Sequence, residues 1–159
     1  MLFRSDDRSE ERSIRRKRGY LIFLQGCEMR CRYCHNPDTW GKTKGLLMSA
    51  DELLDQAERY RGYWGKEGGI TVSGGEPLLQ INFVRELLHK AKQRNINTCI
   101  DTALQPFTRE QPFFDTFEAL MRDTDLLRGA HHSRSFSACC AIWNDRLSEQ
   151  RGRKRFRKR

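Results

Sequence analysis

The segment YLIFLQGCEMRCRYCHNPDTW, residues 20–40, joins a short apolar run to a loop that carries three cysteines. Residues 20–25 are almost wholly apolar, and a run of this kind predicts a strand buried on both faces of a sheet. The cysteines follow directly, in the spacing Cys27-x3-Cys31-x2-Cys34. Thiols so close together at a strand end predict a metal or redox site.

Strand and helix patterns alternate through the rest of residues 19–127. Apolar residues at helical spacing predict helices over 49–64, 80–95 and 112–121, and short apolar runs predict strands over 69–73, 96–101 and, as an opening only, 124–127. Ser49 and Glu52 form a capping-box pattern at the first helix. This alternation is typical of an α/β fold with a parallel sheet and right-handed crossovers.

Polar or glycine-rich residues follow each of the first three predicted strands: the cysteine loop, SGGEP at 73–77, and Asp101 with Thr102. The carboxyl ends of parallel strands meet at one edge of a sheet, so we expect these segments to form a single site. Gly74 and Gly75 lack a Cβ atom, which would let a charged ligand approach the backbone closely. Glu76 could accept a hydrogen bond from a ligand's ammonium group.

The charge of the chain is concentrated at its ends. The 159 residues have a formal net charge of +9, of which residues 1–18 carry +3 and residues 128–159 carry +8. Residues 19–127 therefore have a net charge of −2 and read as an ordinary domain. The polar, charged residues 1–18 are predicted to be disordered.

The six cysteines occur without a visible signal peptide or an apolar run that could span a bilayer. This combination predicts a cytoplasmic protein, in which clustered cysteines bind metal or do redox work more often than they form disulfides. Cys99 lies within a predicted strand and is expected to be a core residue. Adjacent side chains make poor ligand sets, so we expect no second metal site in the tail, where His131, His132, Cys139 and Cys140 lie.

The cysteine loop permits three interpretations. In the first, three cysteines hold a [4Fe-4S] cluster, which takes four ligands and so leaves one iron open to a small molecule. In the second, Cys27, Cys31, Cys34 and His35 bind zinc, although neighbouring side chains rarely reach one tetrahedral ion together. In the third, the loop binds no metal. The zinc interpretation belongs to a different function, a small metal-stabilised module whose basic tail, RGRKRFRKR at 151–159, binds nucleic acid.

The loop GCEMRCRYCHNPDTW resembles the cluster loop of radical S-adenosylmethionine (SAM) enzymes, and its CHNPDTW ending resembles the activating enzymes of glycyl-radical enzymes. GGITVSGGEPLLQ and NINTCIDT resemble the next two strand ends of that family, in the same order. The resemblance covers about residues 19–127 and is closest to the group that activates pyruvate formate-lyase. It implies an incomplete parallel (βα) barrel of the radical SAM type, with about three βα units and an opening fourth strand.

The resemblance also implies a site and a reaction. A [4Fe-4S] cluster on Cys27, Cys31 and Cys34 would bind S-adenosyl-L-methionine at its open iron. The implied cofactor contacts are Tyr33, Cys34, His35, Gly74, Gly75 and Glu76. This oxidoreductase would cleave the cofactor reductively, and the 5′-deoxyadenosyl radical would remove hydrogen from a glycine of pyruvate formate-lyase under anaerobic conditions. The implied partners are that glycyl-radical enzyme and an electron donor such as flavodoxin.

The sequence departs from this family at both ends. RSEERSIRRKRG at 8–19 stands where the family has a glycine-rich segment, and the composition changes abruptly after Leu127. We therefore expect residues 128–159 to be a basic tail without family likeness, and the chain to act as a truncated or frameshifted enzyme of low activity. Its fourth strand is expected to leave an exposed edge or to pair with the tail. Asp101 and Thr102 resemble a cation site, but DTALQ departs from the family's Asp-Thr-Asn-Gly, so cation binding stays open.

Overall fold

The fold is an open α/β sheet. A computed structural model describes residues 3–4, 19–43, 45–65, 68–129 and 155–158. Within these residues one sheet contains, in chain order, β1 (Phe3–Arg4), β2 (Gly19–Leu24), β3 (Gly69–Gly74), β4 (Asn97–Thr102), β5 (Leu126–Gly129) and β6 (Arg155–Lys158). The helices are α1 (Ala50–Glu58), α2 (Ile81–Gln93) and α3 (Phe113–Arg122). Each neighbouring pair from β2 to β6 is parallel, whereas β1 runs antiparallel to β2.

The parallel strands β2–β5, with a helix between each pair, confirm the predicted α/β class and have the arrangement of a partial barrel. The apolar faces of the helices pack with the sheet into one core. The strand residues of this core, each at most 1% exposed, are Ile22, Leu24, Ile70, Val72, Ile100 and Leu127. Full burial of one such side chain contributes roughly 1.5–3 kcal/mol, so the core fixes the strand register that the site depends on.

The predicted capping box forms at the start of α1. The Ser49 hydroxyl accepts a hydrogen bond from the Glu52 N–H at 3.2 Å, and the Ser49 N–H donates to the Glu52 carboxylate at 2.7 Å. The helix ends at Glu58, however, rather than at residue 64. Tertiary contacts divert the chain here, because the Tyr60 ring stacks on Tyr20 and the Arg61 guanidinium donates to the Arg94 carbonyl at the end of α2.

The fourth parallel strand, β5, also differs from the prediction in its bounds. It begins two residues later than predicted, because the Thr124 hydroxyl donates to the Leu120 carbonyl at the end of α3. It runs to Gly129 and pairs in parallel with β6. The sequence analysis allows either an exposed edge at this strand or pairing with the tail, and the structure has the second. Within 1–18 and 128–159 the structure describes only residues 3–4, 128–129 and 155–158. The other predictions for these two segments concern residues outside the described ranges.

No helix in the described part of the chain combines the length and the apolar character that a membrane crossing requires.

The carboxylate of Asp125 joins the start of β5 to β4, and its removal should destabilise the sheet. It accepts hydrogen bonds from the Thr98 N–H at 2.9 Å and from the Lys92 ammonium at 2.8 Å. Asp125→Ala would leave the buried Thr98 amide unpaired, so the free energy of unfolding should fall by about 1–3 kcal/mol in urea denaturation. Asp55→Ala, which breaks an exposed ion pair with Arg94, should cost less than about 1 kcal/mol. Equal losses in the two variants would contradict this role of Asp125.

Candidate functional site

The cysteine loop is closed at its base by backbone hydrogen bonds. The Gly26 N–H donates to the Thr39 carbonyl at 2.7 Å, and the Cys27 N–H donates to the Trp40 carbonyl at 3.2 Å. A short 3-10 turn, Pro37–Thr39, brings the chain back to this base, where Thr39 is buried. The polar residues that follow the third cysteine therefore form the turn that closes the loop.

All three cysteines of this loop are free thiols. Cys27 and Cys34 are half-buried and Cys31 is exposed, and the Cys34 N–H donates to the Cys31 carbonyl at 3.2 Å. Burial raises the pKa of the Cys27 thiol, and the negative charges of Glu76, Cys31 and Cys34 raise it further, against a hydrogen bond from the Met29 backbone. The fold thus opposes ionisation of the Cys27 thiol.

The structure does not gather the three cysteines around one metal ion, either by themselves or with His35, the fourth ligand that the zinc interpretation needs. Among the described residues, no three His, Cys, Asp or Glu side chains are arranged to hold one metal ion. His35 is exposed, as is Tyr33, which is 85% exposed. The tail residues His131, His132, Cys139 and Cys140 lie outside the described ranges, whereas Cys99 is buried, as expected.

The turn after β3 lies directly on the first residues of the cysteine loop. The Gly75 N–H donates to the Leu24 carbonyl at 2.7 Å, and the Glu76 N–H donates to the Gly26 carbonyl at 2.9 Å. A Cβ atom on Gly75 would lie 2.3 Å from the Gly26 carbonyl oxygen, and one on Gly74, where φ is +95°, would lie 2.7 Å from the Leu24 backbone. Both glycines are therefore required by backbone packing, a reason that does not involve a ligand.

The side chain of Glu76 connects the turn after β3 to the turn after β4. It is 1% exposed, and its carboxylate accepts hydrogen bonds from the Leu78 N–H at 3.0 Å and the Ala103 N–H at 2.9 Å. The Thr102 hydroxyl also donates to it, and itself accepts from the Leu104 N–H at 2.9 Å. A ligand's ammonium group would thus meet a carboxylate that is already hydrogen-bonded within the protein.

These contacts bring together the segments that the sequence predicts at one sheet edge. Glu76 touches the cysteine loop through its backbone and the end of β4 through its side chain. Thr102 is buried and uses its hydroxyl within this network, whereas Asp101 is half-buried. The expected convergence of three strand ends is present in the structure.

Two residues of the loop, Arg30 and Trp40, have contacts that the sequence does not indicate. The Arg30 guanidinium donates to the Cys27 carbonyl and lies 5.1 Å from the centre of the Trp40 ring. The Trp40 indole nitrogen is buried and has no hydrogen-bond partner among the described residues. Arg30 has a φ of +49°, a conformation uncommon outside glycine, asparagine and aspartate, so the residue type gives no signal of it.

The fold and the loop define a class of protein. Residues 21–123 match the Radical SAM superfamily, and the chain belongs to that superfamily. A pyruvate formate-lyase-activating enzyme of Listeria monocytogenes is 43% identical over 109 residues, which are 68% of this chain and 44% of that protein. Enzymes of the same description from Streptococcus mutans and Staphylococcus aureus are 42% and 41% identical over 110 residues, 68% of this chain and 42% and 44% of theirs. The chain spans less than half the length of these curated relatives.

Gly75→Ala should disturb the cysteine loop itself. Because the new Cβ would lie 2.3 Å from the Gly26 carbonyl oxygen, the two turns must separate. We expect a free energy of unfolding lower by about 1–3 kcal/mol, the usual range for overpacking. Gly62→Ala is the control, since its Cβ would meet nothing within 4 Å. Retention of full stability by Gly75→Ala would show that the turns are not in contact.

Glu76 should make the free energy of unfolding fall as pH rises, whereas a carboxyl group whose pKa is lowered by folding makes it rise. Burial raises its pKa above the usual value near 4.5, although hydrogen bonds from Thr102, Leu78 and Ala103 act in the other direction. Between the unfolded and folded pKa values the folded state binds more protons, so the free energy of unfolding contributed by Glu76 falls as pH rises through that window.

The measurement is urea denaturation of the iron-free chain at a series of pH values. Glu76→Gln should remove the falling component. Glu52→Gln should remove a rising one, because hydrogen bonds from Ser49 lower the pKa of the Glu52 carboxyl. If both substitutions changed the profile with the same sign, the assignment for Glu76 would be wrong.

Proposed function

We propose that this chain carries the cluster-binding part of a radical SAM activase that generates a glycyl radical on pyruvate formate-lyase. The observation that carries the proposal is the closed loop with three free thiols, packed against the turn after β3 at the carboxyl edge of a parallel sheet. Similarity to enzymes described as pyruvate formate-lyase-activating supports the choice of substrate.

The donor chemistry of the residues present fits a [4Fe-4S] cluster, although the structure does not gather their side chains around one point. Cys27, Cys31 and Cys34 supply thiolate, the usual ligand of such clusters, from one loop whose ends are fixed. The negative charges of Cys31 and Cys34 help to raise the pKa of Cys27, and a cationic iron core would relieve that repulsion. The buried indole N–H of Trp40 gives the loop base a donor with no partner in the described part of the chain. Three thiolates leave one iron of four for S-adenosylmethionine.

When bound, the cluster and S-adenosylmethionine would supply the hard chemistry, one-electron reductive cleavage of the cofactor followed by removal of a hydrogen atom from a glycine. The protein's contribution is to hold and orient. Cys27 is fixed by its backbone bond to Trp40, and the turn at Gly75 is fixed against Gly26, so a cofactor bound between this turn and the loop would be held by one rigid edge of the sheet. Asp101 is half-buried at the end of β4, beside the network of Glu76.

The remaining cofactor contacts are assigned by resemblance. Tyr33 and His35 project from the same loop as Cys34 and are exposed, so a cofactor that covers the loop would bury them. Gly74 and Gly75 would contribute backbone groups, and Glu76 would act by holding the turn that carries them. Flavodoxin or another one-electron donor would deliver the reducing equivalent.

Anaerobic reconstitution with iron and sulfide tests the cluster. A brown protein is expected, and Cys27→Ala, Cys31→Ala or Cys34→Ala should each abolish the iron–sulfur absorbance. Cys99→Ala, Cys139→Ala and Cys140→Ala are matched controls that should retain it. Colourless protein that contains zinc would support the alternative, a metal-stabilised module, and loss of the cluster on changing Cys139 or Cys140 would reveal a fourth protein ligand.

Cofactor chemistry is tested on the same reconstituted protein. S-adenosylmethionine should alter the electron paramagnetic resonance spectrum of the reduced cluster, and chromatography should detect 5′-deoxyadenosine. A glycyl-radical signal on added pyruvate formate-lyase then tests the partner. An unaltered spectrum and no 5′-deoxyadenosine would contradict a radical SAM site, whereas 5′-deoxyadenosine without a glycyl radical would contradict only the choice of partner.

A further inference from the structure

We infer that Arg30 is a positioning residue, which holds the cysteine loop closed and places a permanent positive charge beside Cys27, the first of the three cysteines. The inference deepens the proposed function, since the effect of the charge rests on a cluster at Cys27, Cys31 and Cys34. The effect on loop closure does not require a cluster.

The closure follows from a ring of three contacts. The Arg30 guanidinium donates to the Cys27 carbonyl, and the same group lies over the Trp40 ring at 5.1 Å. The Cys27 N–H in turn donates to the Trp40 carbonyl at 3.2 Å. Arg30 therefore connects Cys27, the first cysteine of the loop, to Trp40, the residue at the end of the loop. Trp40 lies ten positions after Arg30 in the sequence.

The backbone at Arg30 is adapted to these contacts. Its φ of +49° lies in the left-handed region, which a residue with a long side chain adopts only when its surroundings hold it there. A planar guanidinium can stack on an aromatic ring and donate in its own plane at the same time, whereas the ammonium of lysine is a point charge. Both partners of Arg30 thus make use of properties that only arginine has.

The charge of Arg30 is placed where reduction of a cluster would add a negative charge. Since Arg30 bonds to the Cys27 carbonyl, its guanidinium lies beside the backbone of the first proposed ligand cysteine. A nearby positive charge favours the more negative, reduced form, so it raises the reduction potential. Arg30 is exposed, and salt should screen part of this effect.

Arg32 provides a matched control within the same loop. It has the same charge and is exposed, yet it has no hydrogen bond or ion pair among the described residues. It lies between Cys31 and Cys34, as Arg30 lies between Cys27 and Cys31. Substitutions of the two arginines therefore separate the specific contacts from the mere presence of a charge.

Loop closure is measured by hydrogen–deuterium exchange with mass spectrometry on the full, iron-free chain with reduced thiols. Arg30→Met and Arg30→Lys should each raise the exchange rate of amides in residues 26–40 several-fold, because neither keeps the stacked, bonded guanidinium. Arg32→Met should leave these rates unchanged. Trp40→Leu, which removes the ring but not the arginine, should raise them as well, and circular dichroism confirms that each variant is folded.

The charge is measured by a redox titration of the reconstituted proteins, followed by electron paramagnetic resonance. Arg30→Met should shift the cluster to a more negative potential than Arg32→Met does, and the shift should shrink at high ionic strength. Arg30→Lys should keep most of the original reduction potential, while the amides of its cysteine loop exchange faster. This variant therefore separates the effect of the charge from the effect on loop closure.

Equal amide exchange rates in Arg30→Met and Arg32→Met would contradict the role of Arg30 in loop closure. Equal reduction potentials in these two variants would contradict the role of its charge. If the unsubstituted chain takes up no cluster, the proposed function fails, while exchange still decides whether Arg30 closes the loop.

Discussion

The structure depends on a contact between two stretches of backbone, the turn after β3 and the first residues of the cysteine loop. Gly75 approaches the Gly26 carbonyl so closely that no side chain fits between them, and the Glu76 N–H bonds to the same carbonyl. Sheet pairing between β2 and β3 is thereby continued past the last paired residues into the site. The residues of the cysteine loop are consequently held in position by the rigid sheet rather than by a mobile connection.

A buried carboxylate extends this frame to the next strand. The Glu76 backbone bonds to the cysteine loop, and its carboxylate accepts hydrogen bonds from Thr102 and Ala103. A single residue therefore holds the ends of β2, β3 and β4 together. Burial of a carboxylate is costly unless donors surround it, and here backbone amides and a hydroxyl do so. This buried network holds the strand ends together from within the protein.

Much of this could be predicted from the sequence, because the signals are local. Apolar runs and helical spacing gave the element types, and the Ser49 capping box gave the start of α1. The end of α1 could not be predicted, since it is set by Tyr60 and Arg61, which contact distant strands and helices. The same limitation applies to the site: the role of Glu76 in holding the strand ends together and the contacts of Arg30 depend on partners that only the folded chain brings near.

The order of strands in the sheet has a consequence for how the site is made during protein synthesis. β2, β3 and β4 are added side by side in the order in which they leave the ribosome, and the residues of the site all lie between Gly26 and Leu104. Each new strand finds its neighbour already present, although the paired residues are 50 positions apart between β2 and β3 and 28 apart between β3 and β4. The nascent chain can therefore complete its thiol-bearing edge before β5 has emerged from the ribosome.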